Sequence, residues 1–163
     1  MLTSVILIIL FPLFGAFVNG LFGSRLKVAA GYVGTLMVGL SWVLSLRVLA
    51  AVVGGDTLNE DVYVWIAAGT FKAAVGFQVD ALSAVMILTV TTVSLFIHIY
   101  SFGYMHGDRG FARFYAYLNL FVFSMLVLVL ANNYLLMFVG WEGVGLCSYL
   151  LIGFWYERKS ASD

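Results

Sequence analysis

The stretch LLMFVGWEGVGLCSYLLIGFWY, from Leu135 to Tyr156, decides the fold class, because it is long enough to cross a bilayer and holds one charged residue, Glu142. A helix needs about 20 predominantly apolar residues to span the hydrocarbon core. Of the 163 residues, 63% are hydrophobic and 10% are charged, whereas a soluble domain is about 45–50% apolar and about 25% charged. The composition excludes a soluble enzyme and predicts an integral membrane protein with the lipid bilayer as a partner. The formal net charge of zero gives no indication of a nucleic-acid partner.

Five apolar stretches are long enough to span, and they predict an all-α membrane protein with a single transmembrane domain over residues 1–163. The predicted helices cover residues 3–22, 28–53, 81–102, 112–131 and 134–155. Between the second and third helices, residues 61–79 are rich in β-formers, and Gly69 and Thr70 are suited to a turn, so a short β-hairpin is expected. Asn132 and Asn133 predict a tight turn between the last two helices.

The basic residues predict how the chain is oriented, because lysine and arginine concentrate on the cytoplasmic side of a membrane. If the first, third and last connections lie inside, six basic residues lie there and Lys72 lies outside. The six are Arg25, Lys27, Arg109, Arg113, Arg158 and Lys159. Arg47 lies within the second span and would have to extend toward the outer surface. The N-terminus and the hairpin are therefore expected outside, and the C-terminus in the cytoplasm.

Glu142 lies about 12 Å into the fifth span, near the middle of the membrane. A charge there costs roughly 2.5–3.5 kcal/mol on insertion scales. Helical spacing places Phe138, Glu142, Gly145, Tyr149 and Gly153 on one stripe, with Ser148 close by. Because glycines leave space and Tyr149 and Ser148 carry hydroxyls, the stripe is expected to face protein or trapped water inside the bundle.

Two interpretations of the carboxyl group stay open at this point. Burial favours the protonated form and a nearby cation favours the ionised form, so Glu142 could exchange a proton or could be a permanently protonated packing residue. His98 could be a hydrogen-bonded interfacial histidine or part of a proton route, because histidine titrates near neutral pH. Asp80 is expected to cap the third helix, and Asn119 and Ser124 to hydrogen-bond across helices. No cofactor or metal is expected, because nucleotide loops, haem ligand pairs and His/Cys clusters are lacking.

Four segments in order resemble a known family: FQVDALSAVM (77–86), HIYSFGYMHGD (98–108), RFYAYLNLFVFSML (113–126) and WEGVGLCSYLLIGFWYERKSASD (141–163). Together they are similar to the start of the antiporter-like subunit of respiratory complex I, or NADH–quinone oxidoreductase, that is called subunit L in bacteria and subunit 5 in mitochondria. The similarity covers almost the whole chain and is most specific over residues 77–163.

The resemblance implies a membrane-arm subunit that pumps protons without carrying a redox cofactor, so that enzyme activity belongs to the assembled translocase. The family's intramembrane glutamate on its fifth helix matches Glu142, and in that family it pairs with a lysine on a later helix. That helix does not occur in these 163 residues. The resemblance thus implies the N-terminal portion of a longer subunit, with the missing C-terminal segment and other membrane-arm subunits as partners. A bacterial cytoplasmic membrane is the expected location.

Two alternatives to a complex I subunit stay open. The same carboxylate would serve in the large subunit of a multi-subunit sodium/proton antiporter without any oxidoreductase. The chain could also be a structural membrane scaffold in which Glu142 stays protonated. Within the leading hypothesis, Glu142 is the switching carboxylate, and Tyr149, Ser148 and His98 are weaker candidates for a water-linked proton route.

Overall fold

The computed structural model of the protein describes residues 1–69 and 71–156, which form five long helices and one two-stranded sheet. The elements are α1 Leu2–Leu26, α2 Ala29–Val53, β1 Leu58–Ala68, β2 Phe71–Val79, α3 Ala81–Tyr104, α4 Phe111–Leu130 and α5 Tyr134–Ile152. Each helix is long and apolar enough to cross a membrane. This agrees with the predicted class of a membrane protein with five spans and a small sheet.

The sheet is an antiparallel hairpin that lies over the turn between α4 and α5. It begins at Leu58, three residues before the predicted start at residue 61, and the chain reverses after Gly69, which has a φ of +60°. Thr70, the second residue of the predicted turn, lies outside the described residues. The Asn132 backbone N–H donates to the Gly76 carbonyl at 3.1 Å, and Asn133 Nδ2 donates to the Ala74 carbonyl at 2.7 Å. These bonds attach the hairpin to the helices.

Helix α4 is the centre of the bundle, because it packs against α1, α2, α3 and α5. The helices run alternately up and down, so the hairpin and the α4–α5 turn share one end, which we call the hairpin end. Val5, Val48, Phe77 and Leu130 belong to the larger core, which reaches that end. The α1–α2 and α3–α4 turns lie at the opposite end, where Met105, Phe111, Tyr115 and Phe154 form a second core. Helix α5 lies at the periphery, against α4.

Side-chain caps fix where α3 and α5 begin. Asp80 Oδ1 accepts from the Ser83 N–H at 2.8 Å, while Ser83 Oγ accepts from the Asp80 N–H at 2.7 Å, so the predicted cap is confirmed as a reciprocal capping box. The hydrogen bond from the Ser83 backbone holds the pKa of the Asp80 carboxyl below its ordinary value. Asn133 Oδ1 accepts from the Leu136 N–H at 3.0 Å and caps α5. The predicted Asn132–Asn133 turn is confirmed.

Charge is distributed unequally between the two ends of the bundle. Four carboxylates and one lysine lie at the hairpin end: Asp56, Glu60, Asp61, Asp80 and Lys72. Arg25, Lys27, Arg109 and Arg113 lie around the two turns at the opposite end, which we call the basic end. Arg158 and Lys159 lie outside the described residues. The asymmetry is the one on which the predicted orientation rests, and the orientation itself stays a prediction.

Candidate functional site

Helix α5 packs on α4 through a face of small residues. Leu136, Gly140 and Cys147 are buried there. A Cβ atom added at Gly140 would lie 2.6 Å from the Leu128 backbone nitrogen and 2.8 Å from its Cα, so only glycine permits this approach of the two backbones. A Cβ atom at Gly143 would lie 2.6 Å from Ser124 Oγ. This face fixes the rotation of α5 about its own axis.

That rotation turns Glu142 away from α4. The residue lies eight positions after Tyr134, about 12 Å along the helix axis, and its side chain is exposed. Within the described part of the chain, Glu142 makes no hydrogen bond or ion pair. The prediction that its stripe faces the interior of this bundle is therefore wrong. The physical reason is that the Gly140–Gly143–Cys147 face can approach α4 closely and occupies the contact instead.

The rest of the predicted stripe is exposed together with Glu142. Phe138 and Tyr149 are 51% and 75% exposed, and a Cβ atom at Gly145 would meet no atom within 4 Å. Ser148 is half-buried. Tyr149 lies about 10 Å from Glu142 along the helix axis, on the same face. The structure therefore groups Glu142 and Tyr149 on one open face, and this face has a carboxyl and a phenol as its polar groups.

His98 belongs to a different part of the molecule, because it is completely buried between α3 and α4. Its Nδ1 lies 2.7 Å from the Ser94 carbonyl, which can only accept, so Nδ1 carries the ring proton. Its Nε2 then accepts from Asn119 Nδ2 at 3.2 Å. The Tyr115 hydroxyl donates to the His98 carbonyl at 2.7 Å. The structure does not bring His98 to Glu142, and both ring nitrogens are satisfied by protein groups.

The sequence predicted contacts across helices for two of the buried polar side chains, Asn119 and Ser124. The Asn119 amide bonds to His98 on α3. Ser124 Oγ donates to the Leu120 carbonyl of its own helix and also pairs with the Cys147 thiol on α5, so both predicted contacts across helices are confirmed. Asn19 on α1 is also buried and donates to the Ala30 carbonyl at 3.0 Å, a contact that was not predicted from the sequence. An amide within an apolar helix was the available signal, because such groups seek partners on neighbouring helices.

The described residues contain no group of three or more His, Cys, Asp or Glu side chains that could hold a metal ion. Single titratable groups also lie within the spans. Glu142 on the open face of α5 is the one that lies in the middle of a span without a partner among the described residues. A carboxyl group in that position can hold or release a proton if water and a cation reach it.

Comparison with known proteins shows the class of protein to which the chain belongs. Residues 65–115 match the family model described as the NADH-ubiquinone oxidoreductase (complex I) chain 5 N-terminus. Residues 131–163 match the model described as the NADH:quinone oxidoreductase/Mrp antiporter transmembrane region. Together with the five apolar helices, these matches show that the chain belongs to the complex I and antiporter family of multi-pass membrane proteins.

Individual relatives then show which subunit the chain is similar to. The chain is 45% identical over 165 aligned positions to NADH-quinone oxidoreductase subunit L of Neisseria meningitidis, which covers 99% of the chain and 24% of the relative. It is 45% identical to subunit L of Rickettsia bellii, over 96% of the chain and 25% of the relative. NADH-ubiquinone oxidoreductase chain 5 of Hypocrea jecorina is 40% identical, over 96% and 23%. The predicted resemblance to the N-terminal part of the antiporter-like subunit L of complex I is confirmed.

The chain spans about a quarter of the length of these relatives. The two matched models lie on either side of residues 116–130, and the second one includes Glu142. The description of that family model also names an antiporter, so this match alone does not distinguish a complex I subunit from an antiporter subunit. The relatives from Neisseria, Rickettsia and Hypocrea are all named as subunits of NADH–quinone or NADH–ubiquinone oxidoreductase.

Proposed function

We propose that this chain is part of the proton-translocating membrane arm of an NADH–quinone oxidoreductase and that Glu142 is its proton-exchanging carboxylate. The observation that carries the proposal is the placement of Glu142 in the middle of α5, on a face that no described residue covers. A carboxylate left against lipid tails at that depth would be costly. The relatives are about four times as long as this chain, so further polypeptide is available in them to cover the face.

The covering polypeptide would contribute the cation. An ammonium group about 4 Å from the carboxylate would favour its ionised form by about 4 kcal/mol at an effective dielectric constant of about 20. Moving that cation away, or neutralising it, would return the proton to Glu142. Quinone reduction elsewhere in the assembly would drive the movement, and no redox step would take place on this chain. Tyr149 and Ser148, which follow on α5, carry the hydroxyls that we propose for a water-linked route.

The same proposal places the chain in a bacterial cytoplasmic membrane, with the basic end in the cytoplasm and the hairpin end outside. The charge asymmetry supports this orientation, because Arg25, Lys27, Arg109 and Arg113 lie at one end. Other membrane-arm subunits would be its partners. His98 is not assigned to the route in this proposal, because its ring nitrogens bond to Ser94 and Asn119.

The test is Glu142→Gln in the assembled complex, with proton translocation and quinone reduction measured on the same membranes. The amide keeps the size of the side chain but cannot exchange a proton, so we expect fewer protons translocated per NADH oxidised. Asp56→Asn, at the hairpin end, removes a carboxylate outside the spans and serves as the matched control. Undiminished translocation per NADH in the Glu142→Gln complex would refute the proposal.

A sodium/proton antiporter subunit is the second candidate, because the description of the second matched model names an antiporter beside the oxidoreductase. Co-purification separates the two candidates. A complex I subunit is recovered with NADH-oxidising and quinone-reducing activity, whereas an antiporter subunit is recovered without it. If the chain is purely a structural scaffold, Glu142→Gln should change neither proton translocation nor quinone reduction.

A further inference from the structure

A cavity of about 600 Å³ opens at the basic end, between the α1–α2 turn and the α3–α4 turn. Three side chains that can carry positive charge line it: Lys27, His106 and Arg109. Tyr32 and Phe102 form an aromatic wall, with ring centroids 5.0 Å apart. The cavity lies where the spans end, which is the depth of lipid headgroups in a membrane protein of this class.

The two turns that form the cavity are held side by side by close contact. A Cβ atom at Gly23 of α1 would lie 2.7 Å from Ala112 Cβ of α4. Lys27 follows α1 with a φ of +49°, and its N–H donates to the Gly23 carbonyl at 3.0 Å. This uncommon backbone conformation for a residue with a side chain reverses the chain into α2 within two residues. Lys27 therefore stays beside the α3–α4 turn.

The carboxylate that lines the cavity is engaged by other groups. Asp108 Oδ1 accepts from the Gly110 N–H at 2.7 Å, and its Oδ2 accepts from Trp155 Nε1 at 2.9 Å. Lys27 and Arg109 are exposed, and neither forms an ion pair within residues 1–69 and 71–156. The cavity therefore offers two permanent positive charges to an incoming anion against the one negative charge of Asp108, whose two oxygens already bond to N–H groups of the protein. A phosphate group suits it, because both side chains donate hydrogen bonds to phosphate oxygens.

An apolar stripe continues from the cavity along α2 toward the middle of the span. Val28, Tyr32 and Leu36 follow one another at four-residue spacing, so they lie on one face of the helix. They are 57%, 67% and 59% exposed. A free phosphate would use the charged cavity alone. A phospholipid would use both features, with its phosphate in the cavity and an acyl chain on the stripe.

We propose that this cavity binds the headgroup of an anionic phospholipid, with the phosphate between Lys27 and Arg109 and an acyl chain along Val28, Tyr32 and Leu36. The site lies at the basic end, away from the open face of α5, and does not depend on the function proposed for Glu142. Basic pockets between spans are the sites at which anionic headgroups bind.

The test compares binding of phosphatidylglycerol and phosphatidylcholine with identical acyl chains to the protein purified in detergent, by native mass spectrometry. The variant Lys27→Gln/Arg109→Gln removes both charges from the cavity. The control Arg25→Gln/Lys72→Gln removes two charges that do not line it. Two further variants show whether a loss of lipid binding is caused by misfolding. One is the charge-preserving variant Lys27→Arg/Arg109→Lys, and the other is the single variant Arg109→Gln in an exposed turn. Thermal unfolding of every variant is recorded.

We expect phosphatidylglycerol to bind more tightly than phosphatidylcholine and to lose about fivefold in affinity for each cation removed, which corresponds to about 1 kcal/mol. The control and the charge-preserving variant should keep the preference, and excess glycerol 3-phosphate should not displace the lipid. Equal binding of the two lipids would overturn the proposal, as would an equal loss in the control. Displacement by glycerol 3-phosphate at comparable concentration would show a site for soluble anions and would also overturn it.

Discussion

Replacing glycines of α5 by alanine tests which face of the helix packs on α4. At Gly140 the new methyl group would lie 2.6 Å and 2.8 Å from the backbone nitrogen and Cα of Leu128. A backbone cannot yield without displacing the helix, and overpacking of this kind costs about 1–3 kcal/mol. At Gly143 the nearest atom is Ser124 Oγ at 2.6 Å, and a hydroxyl can rotate away, so the cost is smaller. At Gly145 no atom lies within 4 Å, so alanine should be neutral or slightly stabilising.

The assay uses Cys147, the single cysteine of the chain, which is completely buried on the packed face. Its rate of labelling by a small membrane-permeant thiol reagent follows the equilibrium for opening of the α4–α5 contact when opening and closing are fast. A destabilisation of about 2 kcal/mol raises that rate about thirtyfold. We expect the order Gly140→Ala, then Gly143→Ala, then Gly145→Ala, with the last close to the unmodified chain. Equal rates for Gly140→Ala and Gly145→Ala would refute the assigned packing face.

Two further predictions concern the caps and the polar core. Asp80→Ala should lower stability by about 0.5–2 kcal/mol through loss of the helix cap. Because the pKa of the folded Asp80 carboxyl lies below its ordinary value of 3.8, its stabilisation is complete above about pH 4 and is lost as the pH falls through the folded pKa. Thermal midpoints against pH check this, and Asp80→Asn should show no such acid-dependent loss. Asn119→Leu leaves His98 Nε2 unpaired and should cost about 1–3 kcal/mol in unfolding measurements, while protons translocated per NADH stay unchanged in the assembly. Unaltered stability, or a fall in translocation at unaltered stability, would contradict the structural role of this pair.

The number and type of the elements followed from the sequence because long apolar runs and β-rich stretches are local signals. Their ends were less well predicted. Helix α1 continues to Leu26 rather than residue 22, because polar residues at the membrane surface can extend a helix whose apolar part has ended. Helix α5 ends at Ile152 rather than residue 155, and Gly153 follows as its C-cap. Apolar composition marks the width of the hydrocarbon core, whereas backbone hydrogen bonds mark the helix.

The sequence identified the residues of the candidate site but not which face of α5 packs against α4. Both stripes of α5 contain small residues, Gly140, Gly143 and Cys147 on one and Gly145 on the other, so periodicity alone does not say which stripe meets α4. The choice depends on the shape of α4 at Leu128 and Ser124, which is a tertiary property. For His98 the sequence predicted its depth along α3, but its burial follows from the position of Asn119 on a neighbouring helix.

The most direct test of the central claim asks what covers the open face of α5 in the assembled complex. Phe138 lies one turn before Glu142 on that face and is 51% exposed within this chain, so there is room for the benzoyl group that the photo-crosslinking residue p-benzoylphenylalanine adds to the same ring. After irradiation of native membranes, mass spectrometry identifies what the residue has captured. We predict a covalent product with a polypeptide segment from outside these 163 residues. Capture of lipid acyl chains alone would show that Glu142 faces the bilayer and would contradict the account.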